Sequence, residues 1–290
     1  MRGLLLLPLL LVAACTTSQP RYVVGEPYRM GGVWSYPRED FALVQQGIAS
    51  RHPGPTGWDA PTANGEAWSG SRALAAHRTL QLPAVVTVTN LENGRSLTLR
   101  VNDRGPVNPG RVIGLSDRAA DLLGIPAGGT AQVRIAVDGE RSRVLGERTL
   151  GRPPEAVAIE TAPRAAVTAE SLDPLPGARQ ASPRVVATPV ATAAAPEANR
   201  PLPEIVLPET VTTGAPRPGR IYVEAGVLSR ADAAQRLAAR IPGAQVEAFG
   251  PRRDRQYRVR VGPFPNVAQA DAALERTLAA GVSGAQILVD

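Results

Sequence analysis

Three short motifs hold the residue types that acid–base chemistry needs. They are Thr62-Ala63-Asn64-Gly65-Glu66, Ala75-Ala76-His77-Arg78-Thr79-Leu80 and Asn102-Asp103-Arg104-Gly105-Pro106. Asp103 follows an apolar alternating run and precedes a rigid Arg-Gly-Pro turn, which should project its carboxyl at the rim of a sheet. One carboxyl so placed can give a proton and take it back. The plainer alternative is that Asp103 caps the turn or pairs with Arg104. Asn64-Gly65 reads as a tight turn that aims Glu66. Glu66 then stabilises developing positive charge, hydrogen-bonds a ligand, or is an exposed loop acid. His77 either holds Asp103 in place or is a structural histidine. His52, beside Pro53 in a Gly/Pro loop, reads as a solvated loop residue.

The elements that must position these groups are legible from pattern. Residues 85–89 are Val-Val-Thr-Val-Thr, β-branched throughout, and Asn93-Gly94 is a type I′ hairpin signal. The return strand alternates Leu97, Leu99 and Val101 with Ser96, Thr98 and Arg100. Ser116 is placed to cap a short helix with Ala119, Ala120, Leu122 and Leu123, stopped by Gly124. Gln132 to Val137 is a last strand. Many short strands with one small helix predict a small β-barrel.

From Arg220 the order changes to strand, helix, strand, strand, helix, strand. The strands are 220–226, 244–249, 256–262 and 286–289. One helix follows a Ser229 cap and the other spans 267–280. This is the βαββαβ order of a ferredoxin-like fold. Alternation directs Ile221, Val223, Val259 and Val261 to the helices and leaves Tyr222, Glu224, Arg258 and Arg260 on the open face.

Composition sets the boundaries. Gly 28 and Pro 28 in 290 residues exceed what one compact domain uses. Thirteen of those prolines fall in 151–218 among Ala, Thr, Val and Glu with no sustained period, which predicts a disordered Pro/Ala-rich linker. The domains expected are a 1–14 signal peptide, a 15–40 extension, a 41–138 barrel, a 139–218 linker and a 219–290 α+β domain. As a flexible coil the linker would separate the two folded parts by about 45 Å. The chain has one Cys and two His, so a disulfide framework, a Cys-rich zinc site and a multi-histidine metal centre are excluded. No metal and no cofactor is expected. All 32 basic residues are arginine and the net charge is +6, which suits acidic or polar partners.

Met1-Arg2 and the apolar run Leu4–Ala14, ending Leu11-Val12-Ala13-Ala14-Cys15, resemble a bacterial lipobox. The run is too short to span a bilayer, which takes about 20 helical residues. The resemblance implies a lipidated, palmitate-bearing Cys15 as membrane anchor. With Thr16 next, it implies an outer-membrane lipoprotein facing the periplasm, which leaves nucleic acid no place as a partner.

The three motifs of 62–106, with Val88 to Arg95 between them, resemble the rare lipoprotein A family. Those proteins are septal-ring lytic transglycosylases built on a double-psi β-barrel. The preamble Tyr22-x-x-Gly25-x-Pro27-Tyr28 and Tyr36-Pro37 is similar to that family too. Tyr222-Val223-Glu224-Ala225-Gly226 and Tyr257 to Phe264 are similar to a SPOR domain, a module that binds denuded peptidoglycan strands. The resemblance implies a lyase acting in cell division and wall remodelling. It would cleave the MurNAc-GlcNAc β-1,4 bond to leave 1,6-anhydro ends, with Asp103 as acid and then base and Glu66 and His77 in support. His77 would hold Asp103 or a sugar hydroxyl. The substrate-binding set would be Asn64, Asn102 and Arg104 on the barrel, and Tyr222, Glu224, Arg258 and Arg260 on the SPOR face. Enrichment at the division septum and divisome partners follow from the same likeness.

The chain departs from the family at two places. The family reads Arg-x-Ile-Asp-Leu-Ser where this chain has Arg111-Val112-Ile113-Gly114-Leu115-Ser116. Losing a carboxylate near Asp103 should make Asp103 a weaker proton donor, with Asp117 as a candidate replacement. Ala-Ser-Trp-Tyr-Gly is altered to Ala49-Ser50-Arg51-His52-Pro53, so Trp58 or Trp68 would have to supply the aromatic platform. The alternative these changes raise is a non-catalytic peptidoglycan-binding lipoprotein with a degenerate site.

Overall fold

A computed structural model of the chain describes residues 20–56, 60–151 and 207–290. Cys15 and the lipobox, Trp58, and 152–206 of the expected linker lie outside the described residues.

The first domain runs β1 (Tyr28–Met30), β2 (Val33–Ser35), β3 (Val44–Arg51), β4 (Leu74–Ala76), β5 (Ala84–Asn90), β6 (Arg95–Asp103), β7 (Ile113–Leu115), α1 (Asp117–Leu122), β8 (Thr130–Val137) and α2 (Gly139–Thr149). Strands β4-β7-β3-β8-β5-β6 pair in that order, and β4 also pairs with β6, so the six close into a barrel. The pairs β3–β7 and β4–β6 are parallel and the other four antiparallel. Closure leaves none of the six with an open edge. Its interior is filled by Leu80, Leu82, Val86, Val88, Leu97, Leu99, Ile113, Leu115, Val133 and Ile135, all buried. Each contributes roughly 1.5–3 kcal/mol relative to exposure.

The β5–β6 connection is a four-residue loop, 91–94, closed by Gly94 N–H on Asn90 O at 2.8 Å. It replaces the two-residue turn expected at Asn93-Gly94. The reason is in the side chains: Asn90 and Asn93 both donate to Leu123 O, and Leu91 turns away into the second core. Ser116 caps α1 as its sequence indicates, its Oγ accepting from Ala119 N–H, and Gly124 follows at φ 72°.

The linker expected over 139–218 differs at both ends. Asp138 caps helix α2, whose Ser142 Oγ bonds to both Val85 N and Val85 O. At the other end β9 (Thr212–Thr213) pairs with β6, and Glu209 takes Arg118 Nε at 2.8 Å. Helix α2 holds no proline of its own and was grouped with the proline-rich 151–218 that follows it, and the two residues of β9 are too few for a period to show.

The second domain has β10 (Ile221–Leu228), α3 (Ala231–Ala238), β11 (Ala244–Phe249), β12 (Gln256–Phe264), α4 (Val267–Ala279) and β13 (Gln286–Val289). Sheet order β11-β12-β10-β13, antiparallel throughout, is that of a ferredoxin-like βαββαβ unit. Arg230 rather than Ser229 occupies the N-cap of α3, and its guanidinium goes to Asp232. The two cores meet. Ile48 and Leu91 of the barrel pack into the cluster formed by Val223, Val259, Leu274 and Ile287. Arg111 makes a two-pronged ion pair with Asp271 of α4, at 2.7 and 2.8 Å. The separation of about 45 Å expected for a flexible tether is therefore not what the fold shows.

Candidate active site

Asp103 ends β6 and is 7% exposed. Its Oδ1 accepts from Ala63 N–H at 2.9 Å, and its Oδ2 lies 3.3 Å from His52 Nε2. The sequence reading of His52 as a solvated loop residue is corrected here: the ring is buried and faces the carboxyl. Two glycines make its seat. A Cβ on Gly105 would come within 2.8 Å of His52 Cε1, and a Cβ on Gly114 within 2.7 Å of His52 Cβ. Gly105 also has φ +154°, a conformation that favours glycine. Trp68 closes the outer side, edge-on to the imidazole with centroids 5.0 Å apart. Trp68 thus supports the histidine, and no signal short of the folded β3–β7 pairing would have joined residues 52, 105 and 114.

His77 does not reach Asp103 with its ring. Its backbone N–H donates to Asp103 O at 3.0 Å. Ring Nδ1 accepts from Thr79 N–H and Leu80 N–H, both at 3.2 Å. The proton of the neutral ring is therefore on Nε2. Burial, with Arg104 and Arg78 nearby, pushes its pKa down to about 4, so the ring is neutral at pH 7.

Glu66 has both oxygens engaged. Oε1 accepts from Asn64 Nδ2 at 2.7 Å and from Arg100, and Oε2 from Asn102 Nδ2 at 3.2 Å. Arg100, an outward position by simple alternation, turns out to be buried and to neutralise this acid. Asn64 Oδ1 accepts from Thr62 Oγ and Glu66 N–H, and Gly65 takes φ 86° as the expected tight turn. The network acts on Asp103 through one atom, since it fixes the loop that carries Ala63 N–H.

Arg104 goes elsewhere. Its guanidinium donates to the carbonyls of Val24, His77, Arg78 and Leu80, tying the N-terminal extension to the barrel. Both terminal nitrogens are engaged by carbonyl oxygens, Nη1 by three and Nη2 by one, which turns the guanidinium toward the backbone. Asp117 does not stand in at position 114 either. It receives Arg51 Nη1 at 2.9 Å, beside the Arg51–Asp121 pair.

On the second domain Tyr222, Glu224, Arg258 and Arg260 come together. Arg260 stacks 4.1 Å over the Tyr222 ring and pairs with Glu247 and Asp290, and Arg258 stacks 4.4 Å over Phe249. Burial raises the Glu224 pKa, and Arg258 and a hydrogen bond to Gln286 oppose the shift. Among the described residues no group of three or more His, Cys, Asp or Glu is placed to hold a metal. Nor is any described helix long and apolar enough to cross a membrane.

Comparison with known proteins agrees with both domains. Residues 45–135 match the family described as lytic transglycolase, and 218–288 match the SPOR domain. The protein named endolytic peptidoglycan transglycosylase RlpA in Vibrio cholerae is 38% identical over 128 residues, 41% of this chain and 48% of that protein. Its namesake in Pseudomonas aeruginosa is 42% identical over 153 residues, 50% of this chain and 44% of its own. That of Rickettsia bellii is 40% identical over 118 residues, 39% and 51% of the two chains. The chain thus spans about half the length of these relatives. The chain thus carries a lytic transglycolase domain followed by a SPOR domain, and over the matched part it is similar to proteins named endolytic peptidoglycan transglycosylase RlpA.

Proposed function

We propose that the protein is an endolytic peptidoglycan lytic transglycosylase, with Asp103 as its single acid–base residue. The observation that carries this reading is the Asp103 carboxyl, held at Oδ1 by Ala63 N–H and at Oδ2 beside His52. Oδ1 is committed to a backbone donor, so Oδ2 is the oxygen that carries the proton. In the first step Oδ2–H protonates the glycosidic oxygen as the C1–O4 bond breaks and positive charge develops at C1. In the second, the MurNAc C6 hydroxyl attacks C1 and gives its proton to the Asp103 carboxylate. The C1–O6 bond forms and the acid is regenerated. Because no water enters, the product carries a 1,6-anhydro end. Glu66, through Asn64 and the 62–66 turn, positions Ala63 N–H. His77 positions the Asp103 backbone.

The denuded glycan strand is the substrate, and the SPOR face binds the same polymer. Anchoring is through lipidated, palmitoylated Cys15 in the outer membrane, with the folded domains in the periplasm. The site of action is the division septum, where divisome proteins are the expected partners. The lipobox sequence and the SPOR match support this placement. The test is incubation of the full soluble chain with amidase-treated peptidoglycan, with products read by mass spectrometry. Anhydro-terminated fragments are expected. Reducing ends would make it a hydrolase, and no product would leave a glycan-binding protein.

A further inference from the structure

A cleft of about 700 Å³ lies between the β1–β2 hairpin and the SPOR edge strand β13, within the size range of ligand sites, about 300–1,000 Å³. It exists because the barrel and the SPOR domain are docked through Ile48, Leu91 and the Arg111–Asp271 pair. One wall carries Trp34 of β2 and Tyr36 just beyond its end, 50% and 64% exposed. Two large aromatics left in water, in a chain only 4% aromatic, are costly unless something covers them.

The hairpin that displays them is rigid. Arg78 donates to Met30 O and Ser35 Oγ from one nitrogen and to Val107 O from the other. Tyr28 OH closes back on Arg78 O at 2.8 Å. Gln45 and Gln46, consecutive on β3 and so on opposite faces of it, both border the cleft, and its far wall holds Gln286 and Asp290. This far wall belongs to the SPOR open face. Gln286 pairs with Glu224 in register, and Asp290 receives Arg258 and Arg260. At its inner end the cleft is lined by Arg78 and Thr79, next to His77, whose N–H holds Asp103.

Flat aromatic faces opposite neutral amides are the chemistry that recognises pyranose rings. The C–H faces of the sugar lie on the rings, and hydroxyl and acetamido groups meet the amides. We propose that this cleft is a glycan-binding site that holds one strand against the barrel and the SPOR sheet together. SPOR then serves as an extension of the catalytic groove. The ligand class rests on the function proposed above.

The experiment measures binding of amidase-denuded glycan strands to the full soluble chain and scores anhydro products in the same samples. Trp34→Ala with Tyr36→Ala should weaken binding about tenfold, and Gln286→Ala should act in the same direction from the other wall. Asp271→Ala, which releases the docking, should weaken binding to a similar degree. Combining it with the aromatic pair should add less than the product of the two effects, since both act on one cleft. Wild-type affinity in the aromatic variant, or full multiplicativity with Asp271→Ala, overturns the proposal. Weakened binding only to peptide-bearing wall also overturns it, because the occupant would then be the stem peptide. Loss of affinity without anhydro products in the wild type refutes the enzymatic reading and leaves the cleft standing. Anhydro products with unchanged affinity in the variant do the reverse.

Discussion

Gly114→Ala isolates the contribution of the His52 seat. Position 114 lies in β7 and is not among the glycines with positive φ, so alanine meets no backbone strain there. What it meets is steric. The new Cβ would stand 2.7 Å from His52 Cβ, 3.1 Å from Cγ and 3.4 Å from Nδ1. Carbon atoms pack at about 3.5–4.0 Å, so the imidazole must retreat by roughly 1 Å. Nε2, now 3.3 Å from Asp103 Oδ2, would pass beyond hydrogen-bonding distance. Losing that hydrogen bond costs about 0.5–1.5 kcal/mol. A displacement near 1 Å at a catalytic group costs up to about 100-fold in rate. Turnover of denuded glycan should therefore fall about 10- to 100-fold with KM nearly unchanged. Overpacking should destabilise the barrel by about 1–3 kcal/mol, read as a lower Tm. Gly114→Asp should do the same or more, against the expectation that a restored carboxylate improves the site. A wild-type kcat in Gly114→Ala would refute the argument that His52 positions Asp103.

Other outcomes are expected at the same site. Asp103→Asn should abolish cleavage while thermal unfolding and glycan binding stay near wild type, because an amide cannot cycle the proton; residual cleavage near the wild-type rate would reject the assignment. Glu66→Gln should lower stability by about 1–3 kcal/mol by leaving Arg100 buried without its counter-charge, with a fall in kcat as the Ala63 loop loosens. His77 takes up a proton near pH 6.5 when unfolded but only near pH 4 when folded, so the unfolded state binds more protons between those values. Stability should then fall on acidification from pH 6.5 to 4, by as much as about 3 kcal/mol. His77→Asn, whose Oδ1 can still accept from Thr79 and Leu80, should unfold with a flatter pH dependence across that window.

Much of the scaffold was readable in advance because it rests on local rules. The β5 and β6 patterns, the Ser116 cap, the Asn64-Gly65 turn and the βαββαβ order all come from periodicity or from what one residue does to its own backbone. The position of Asp103 at a strand end was likewise legible. What escaped reading is long-range. The His52 contact spans 51 residues and the Arg111–Asp271 pair 160. Neither leaves a periodic trace. Arg100 was assigned outward because alternation treats a strand as having one wet face, whereas a barrel strand beneath the 62–66 loop is covered on both. His77 had the right neighbourhood and the wrong atom, since sequence cannot say whether a residue acts through its ring or its amide. The linker boundary moved because composition averages over windows longer than the two residues of β9.

The two departures from the family pattern are neighbours in space. Strand β3 runs parallel to β7 with Ser50 opposite Gly114 and Arg51 opposite Leu115, which places 51, 52 and 114 at one end of one strand pair. If the site were decaying, independent losses there should leave a void or unpaired charge. Instead Arg51 is satisfied by Asp117 and Asp121, the His52 ring occupies the space a side chain on Gly114 would need, and its Nε2 meets the Asp103 carboxyl. Each change fits the other. A histidine at 52 requires glycine at 114, and a glycine at 114 would leave a gap without the histidine. This mutual fit argues for a rebuilt support around Asp103 rather than an abandoned one. It also predicts the order of damage, since relaxing the pair from either side should cost about as much as relaxing both. His52→Ala and Gly114→Ala should each lower kcat, and the double variant should be no worse than the more damaged single. Clear multiplicativity in the double would show that the two residues act on Asp103 independently, and the coupled-support argument would fail.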